Sequence, residues 1–159
     1  MGSKISVCIV ALCAACLASG ALSAAEVPDQ QGELAAIEAA ARDYIDGWYE
    51  GDAERMARGL HPDLRKRSFR ELPGGGQIVS DLTYTTMVAY TEKGFGTKSK
   101  KEGQVNEVKI LDVSPTIASV KTVSPEFIDY LHLAKVDGQW RIVNVLWEPT
   151  PEARAAKKH

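Results

Sequence analysis

FIDYLHLAKVDGQWRIVNVLW, residues 127–147, reads as two β-rich runs joined at Asp137-Gly138. That dipeptide is the strongest turn signal in the chain. A two-residue type I′ hairpin needs φ > 0 at both central positions, and Asp-Gly supplies it. With this turn, Val136 faces Gln139 and Lys135 faces Trp140, and the rest of the ladder follows by counting. Side chains alternate along a strand, so residues three apart point to opposite faces. Asp129 then shares a face with Phe127, Leu131 and Leu133, and with Trp140, Ile142, Asn144 and Leu146 across the ladder. His132 lies on the other face with Ile128, Tyr130 and Ala134, opposite Arg141, Val143, Val145 and Trp147. Asp129 and His132 resemble a catalytic pair on paper, yet they form no direct dyad unless a bulge intervenes.

Working back from the hairpin, residues 104–113, 116–123 and 126–136 read as strands separated by Ser114-Pro115 and Ser124-Pro125. Residues 64–71 and 77–82 form an earlier strand pair around Pro73-Gly74-Gly75-Gly76. That triplet lacks the following Lys-Ser/Thr and the strand-to-helix context of a phosphate loop, so a flexible hairpin loop is expected. Residues 83–93 can form a helix, and residues 94–103, with Lys98, Lys100 and Lys101, a solvated loop. From Gln30 the pattern is helical: Leu34, Ile37, Ala41, Tyr44, Ile45 and Trp48 recur at steps of three and four. Gly51 stops that helix, and Asp52 caps a short second one ended by Pro62. The order predicts an α+β fold, a strongly curved antiparallel sheet closed on one side by N-terminal and middle helices.

Before all this stands MGSK followed by ISVCIVALCAACLASGAL, then Ser23-Ala24-Ala25. A charged start, an apolar centre and a small-residue exit describe a secretory leader over residues 1–25, cleaved on export to the periplasm or the medium. A retained membrane anchor and lipidation at Cys16 rank behind it. All three cysteines (Cys8, Cys13 and Cys16) fall in this leader, which leaves residues 26–150 as one domain without disulfides or thiolate chemistry. Residues 151–159 read as a frayed tail. The 19 Lys plus Arg against 21 Asp plus Glu give a net charge of −2, one unit more negative without Lys4. Nothing there calls for nucleic acid or a membrane surface as partner.

The segment IEAAARDYIDGWYEGDAERMARGLHPD (residues 37–63), with the later Asp129-Tyr130-Leu131 and Asp137-Gly138-Gln139-Trp140-Arg141-Ile142, resembles the putative lumazine-binding family of the NTF2-like superfamily. The resemblance covers residues 30–149. It implies a cone-shaped fold, and dimers formed through the outer sheet face in many relatives. It implies no agreed catalytic set, and the superfamily holds enzymes and plain binding proteins alike.

The cavity candidates are therefore Tyr44, Trp48, Asp129, Leu131, Trp140 and Asn144. A carboxylate on an inward apolar face needs partners, because burying an unpaired charge costs several kcal/mol. Asp129 is expected either to anchor a ligand or to accept bonds from Tyr44, Trp48 or a neighbouring strand. Tyr44 and Trp48 are expected as core first and as a stacking wall second. The other face is apolar enough to need cover, which makes Tyr130, His132, Val143, Val145 and Trp147 candidates for a homodimer interface. His61 reads as an end-of-helix residue bonding nearby carbonyls. No zinc motif, nucleophile elbow or dinucleotide fingerprint is present, so no metal, cofactor or catalytic residue is assigned. The expected partner is a small organic molecule of unknown identity. The competing reading is a cofactor-free isomerase or dehydratase using Asp129. A dimeric interaction module with a vestigial cavity is a third.

Overall fold

The computed structural model describes residues 29–156. The leader, its cysteines and the last three residues lie outside them. Asp29 caps the first helix, its carboxylate accepting the Gln31 N–H at 3.2 Å. This helix, α1, runs Gln30–Glu50 and buries Ile37, Ala41, Tyr44 and Ile45, whereas Leu34 of the expected stripe is exposed. It stops at Gly51, whose φ of 71° is the left-handed geometry that glycine adopts without strain. Asp52 caps α2 (Ala53–Gly59), accepting the Arg55 N–H at 2.9 Å.

The chain then enters β1 (Leu60–Glu71), which pairs with β2 (Gln77–Thr83) through the glycine-rich turn. Pro62 does not sit in a helix-to-loop junction as expected. It lies inside β1, where the ladder to its neighbour is interrupted between Leu60 and Arg65, so no strand hydrogen bond is lost to its missing N–H. Thr83 caps α3 (Tyr84–Glu92), and a single 3₁₀ turn, Thr97–Ser99, interrupts the lysine-bearing loop. β3 (Glu107–Val113), β4 (Ile117–Val123), β5 (Phe127–Val136) and β6 (Gln139–Pro149) complete the sheet. Asp137 and Gly138 have φ of 50° and 77°, as a type I′ hairpin requires.

The sheet order is β2-β1-β6-β5-β4-β3, curved and unclosed. All neighbours are antiparallel except β1 and β6, which run parallel. The expected wholly antiparallel sheet is corrected at this one seam, where the first and last strands of the chain meet. α1 crosses the inner face over β6, β3 and β4, α3 covers β1 and β2, and α2 packs between the two helices. Ile37, Tyr44, Met56, Leu64, Leu131 and Ile142 lie in one continuous core between helices and sheet.

One departure from the expected register matters more than the rest. β5 and β6 pair by simple counting from the turn as far as Leu133 opposite Ile142, but His132 stands opposite Asn144. Val143 is the extra residue of a β-bulge, and every side chain of β6 after it switches face. Val145 and Trp147, expected outside, are on the inner face. Asn144 and Leu146, expected inside, are on the outer face. The tail also differs: residues Pro151–Ala156 form a short helix, α4. Thr150 fastens its start, donating to the Pro125 carbonyl at 3.0 Å and accepting the Ala153 N–H at 3.2 Å. Among the described residues no helix is long and apolar enough to cross a membrane.

Candidate functional site

Three periodicities converge on one spot. Along β5 the inner face carries Phe127, Asp129, Leu131 and Leu133. Along β1 it carries Leu64, Lys66 and Ser68, all buried while Arg65, Arg67 and Phe69 are exposed. The four-residue step of α1 sets Tyr44 and Trp48 above them. Asp129 is 0% exposed, and its charge is answered on all sides. Its Oδ1 accepts from the Tyr44 hydroxyl at 2.9 Å and from Lys66 Nζ at 2.7 Å, and its Oδ2 accepts from Thr122 Oγ1 at 3.5 Å. Lys66 Nζ also donates to the Tyr44 hydroxyl oxygen. Lys66, Asp129 and Tyr44 are thus mutually bonded in a buried triangle.

The ammonium of Lys66 sits inside an aromatic enclosure, 4.9 Å from the Trp147 ring centroid, 5.1 Å from that of Tyr44 and 5.9 Å from that of Phe127. Ring faces carry negative quadrupole charge, so this enclosure offsets part of the lost hydration. Phe127 and Trp147 meet edge to face at 5.2 Å and 89°, the geometry aromatic pairs prefer. Burial, the negative charge of Asp129 and the hydrogen bond to it hold the Tyr44 phenol far above its usual titration range. At neutral pH Tyr44 is a proton donor.

Beside the triangle lies a cavity of about 140 Å³, walled by Ile45, Trp48, Leu82, Met87, Phe127 and Trp147, with Tyr44, Lys66 and Asp129 at its polar end. The half-buried Trp48, Leu82, Phe127 and Trp147 frame its mouth. A dry cavity of about 150 Å³ is enough to hold benzene, so this one has room for a single six-membered ring. The indole N–H groups of Trp48 and Trp147 are buried without a hydrogen-bond partner, as is the Ser68 hydroxyl. Buried donors are nearly always paired, and both of these indoles belong to residues of the cavity wall. Trp48 is held by the following loop: a Cβ on Gly96 would fall 2.2 Å from the Trp48 carbonyl oxygen, so only glycine allows the loop to close there.

Of the cavity candidates, the structure brings Tyr44, Trp48 and Asp129 together. Leu131 is fully buried core and does not reach the cavity. Trp140 is buried at the far end of α1, where its indole donates to Glu33 Oε2 at 2.7 Å. Asn144 is on the outer face because of the bulge, accepting from Arg67 at 3.2 Å and lying 3.2 Å from His132 Nδ1. Among the interface candidates, Tyr130 is 45% exposed and His132 is exposed, whereas Val145 is fully buried and Trp147 turns into the cavity. Val143 is half-buried in the bulge itself. His61 accepts the Asp63 backbone N–H at 3.1 Å rather than bonding a carbonyl. Among the described residues no group of three or more His, Cys, Asp or Glu is placed to hold a metal.

The sequence reading passed over Lys66, the central cation of the site. Its signal was strand parity, since Leu64 must face the core and Lys66 follows two residues later. Phe127, Leu82 and Met87 are other walls not named as cavity candidates, and Trp147 was assigned to the outer face.

A curved sheet closed on one side by helices is the fold this chain shares with NTF2-like proteins. The chain belongs to the family described as putative lumazine-binding, which it matches over residues 32–148. An NTF-2-like protein of unknown function from Silicibacter pomeroyi superposes with a TM-score of 0.60, at 16% identity over 76% of this chain and 98% of its own. An NTF2-like protein of unknown function from Shewanella baltica gives 0.58, at 16% identity over 77% and 97%. At such identity the likeness is one of fold. In sequence, the chain is 26% identical over 125 residues to aldolase FrzH of Cladobotryum sp, covering 75% of this chain and 93% of that protein.

Proposed function

We propose that this protein binds a small organic molecule in the cavity above Lys66, Asp129 and Tyr44. The carrying observation is an apolar, ring-sized space with two wall residues whose indole N–H groups lack partners and with the Lys66 ammonium, bonded to Asp129 and Tyr44, at its end. Both Asp129 oxygens are already taken, so the complementary ligand is an acceptor. A single aromatic or alicyclic ring bearing a carbonyl, carboxylate or phenolate oxygen fits that description. Lumazine, the fused bicycle of the family's description, exceeds a space of this volume and would have to project through the mouth. The experiment follows from the walls: Trp48 and Trp147 are two of the three tryptophans. Titration with monocyclic carbonyl compounds is expected to quench tryptophan emission saturably, more tightly than lumazine does, and Leu82→Trp should fill the mouth and abolish the effect. Absence of saturable quenching by any ring compound in the folded protein removes this reading.

A second reading is catalytic, and it is favoured by the likeness to an aldolase across nearly that protein's whole length. On this reading the same cavity turns over a carbonyl compound instead of storing it. We infer from the apolar leader that the protein acts outside the cytoplasm, in the periplasm or the medium, with a lipid anchor at Cys16 as the minor alternative. The molecule works as a homodimer joined through the outer sheet face, where Phe69, Ile117, Tyr130 and Leu146 are exposed. Tyr130 and His132 remain in that interface, and Val145 and Trp147 leave it.

A further inference from the structure

The buried triangle holds a primary amine, a carboxylate and an un-ionised phenol within hydrogen-bond reach of one another at the end of an apolar cavity. Lysine is an unusual choice for such a place. If the cavity needed only a fixed positive charge to hold an anion, Asp129 would be counterproductive, since it already neutralises that charge at 2.7 Å. If the pair served only to fill the core, an apolar pair of the same volume would serve as well or better. What the arrangement does provide is a primary amine whose nitrogen is bonded to both a carboxylate and a phenol, two groups placed to accept and return a proton. Desolvated lysines in apolar pockets are the amines that condense with carbonyl groups.

We propose that Lys66 forms a covalent Schiff base with a small aldehyde or ketone seated in the cavity, a role that rests on the small-molecule reading above. The Lys66 ammonium passes a proton along its hydrogen bond to the Asp129 carboxylate, which frees the nitrogen lone pair. Nζ attacks the carbonyl carbon, a C–N bond forms, and the C=O π electrons move onto oxygen. Tyr44, bonded to both Nζ and Asp129, gives a proton to that oxygen and takes one from the nitrogen, leaving a neutral carbinolamine. The Asp129 carboxylic acid then returns its proton to the hydroxyl, which departs as water while the nitrogen lone pair forms the C=N bond. The sum is ammonium plus carbonyl giving iminium plus water, and the single positive charge ends where it began, against the Asp129 carboxylate. At the start and at the end, the rings of Tyr44, Phe127 and Trp147 surround a cation, first the ammonium and then the iminium.

The test uses the folded chain with benzaldehyde as probe and sodium cyanoborohydride to reduce any iminium to a stable amine. Intact-mass measurement and peptide mapping are expected to find one benzyl group per chain, on Lys66, at a benzaldehyde concentration that leaves exposed Lys98, Lys100 and Lys101 unmodified. Tyr44→Phe should slow adduct formation on the order of 100-fold, as loss of a proton relay predicts. Because the site is mapped on the unmutated chain, the outcome does not depend on any variant folding. Saturable quenching with Lys66 unmodified, or with label spread over surface lysines, overturns the Schiff base and leaves the binding reading standing. Loss of both quenching and adduct overturns the two together.

Discussion

Removing the Lys66 ammonium would leave the Asp129 carboxylate fully buried with only a phenol and a threonine hydroxyl to answer it. Breaking a buried pair from one side costs about 3–5 kcal/mol, whereas exchanging both partners for apolar groups is close to neutral. Lys66→Met is therefore expected to lower the urea-unfolding free energy by about 3–5 kcal/mol, and Lys66→Met combined with Asp129→Leu to recover most of that loss. If the double variant is as unstable as the single, the pair is not the source of the cost. The phenols give a second prediction. Burial first, then the charge of Asp129, lifts Tyr44 well above its ordinary value of 10.0, and burial likewise lifts Tyr49. A raised folded-state value means the unfolded chain loses these protons first, so their stabilisation is intact below pH 10 and drains away above it. Ultraviolet titration should find two of the five tyrosines silent until the protein unfolds in alkali, with the melting temperature falling above that pH. At this scale Asp129 was legible, because a lone carboxylate on an apolar strand face demands an explanation. Lys66 was equally legible by parity but was masked by its neighbours, since Arg65-Lys66-Arg67 looks like a solvated charge run until the strand is given a direction.

Between hairpin turn and cavity, a single extra residue decides which side chains form the wall. The turn was readable because Asp137-Gly138 has a backbone requirement that few sequences satisfy, and the junction of the first two helices was readable because Gly51 and Asp52 cap it. The bulge at Val143 has no such requirement. It is fixed by how β5 and β6 both fit the curved sheet, a tertiary effect, and its one local trace is a polar Asn144 in a slot where alternation demanded an apolar residue. Deleting Val143 would restore the alternation, send Asn144 inward and turn Trp147 out. The fully buried Val145 would turn out together with the half-buried Trp147, so this deletion is expected to destabilise by about 3–5 kcal/mol and to erase the near-ultraviolet circular dichroism of the Phe127–Trp147 pair. A deletion that left both unchanged would mean the strand slides to heal itself. The loop after α3 offers a milder perturbation. Gly96→Ala places a methyl group against the Trp48 backbone, with an expected cost of about 1–3 kcal/mol and a weaker fluorescence response to cavity ligands.

Across the whole molecule, the α+β class and the clustering of helices on one face followed from element order alone, while the parallel seam between β1 and β6 did not, since nothing local announces a partner some eighty residues away. The outer face allows a test of assembly. Tyr130 and Leu146 stand opposite one another on β5 and β6, both exposed. Replacing both with lysine is expected to convert a dimer to a monomer by sedimentation velocity without lowering the stability of the isolated fold. A monomer before substitution would end the dimer proposal. The seam itself has a consequence during synthesis. β6, the last strand, lies between β1 and β5 and is bonded to both. Until it emerges from the ribosome, the β1–β2 hairpin and the β3–β5 meander are separate pieces with open edges, and α1 has no finished surface to settle on. The chain therefore stays unfolded until nearly its full length has been made. The export proposed above, passage through a membrane as an extended thread, would be served by that delay, which is written into the strand order.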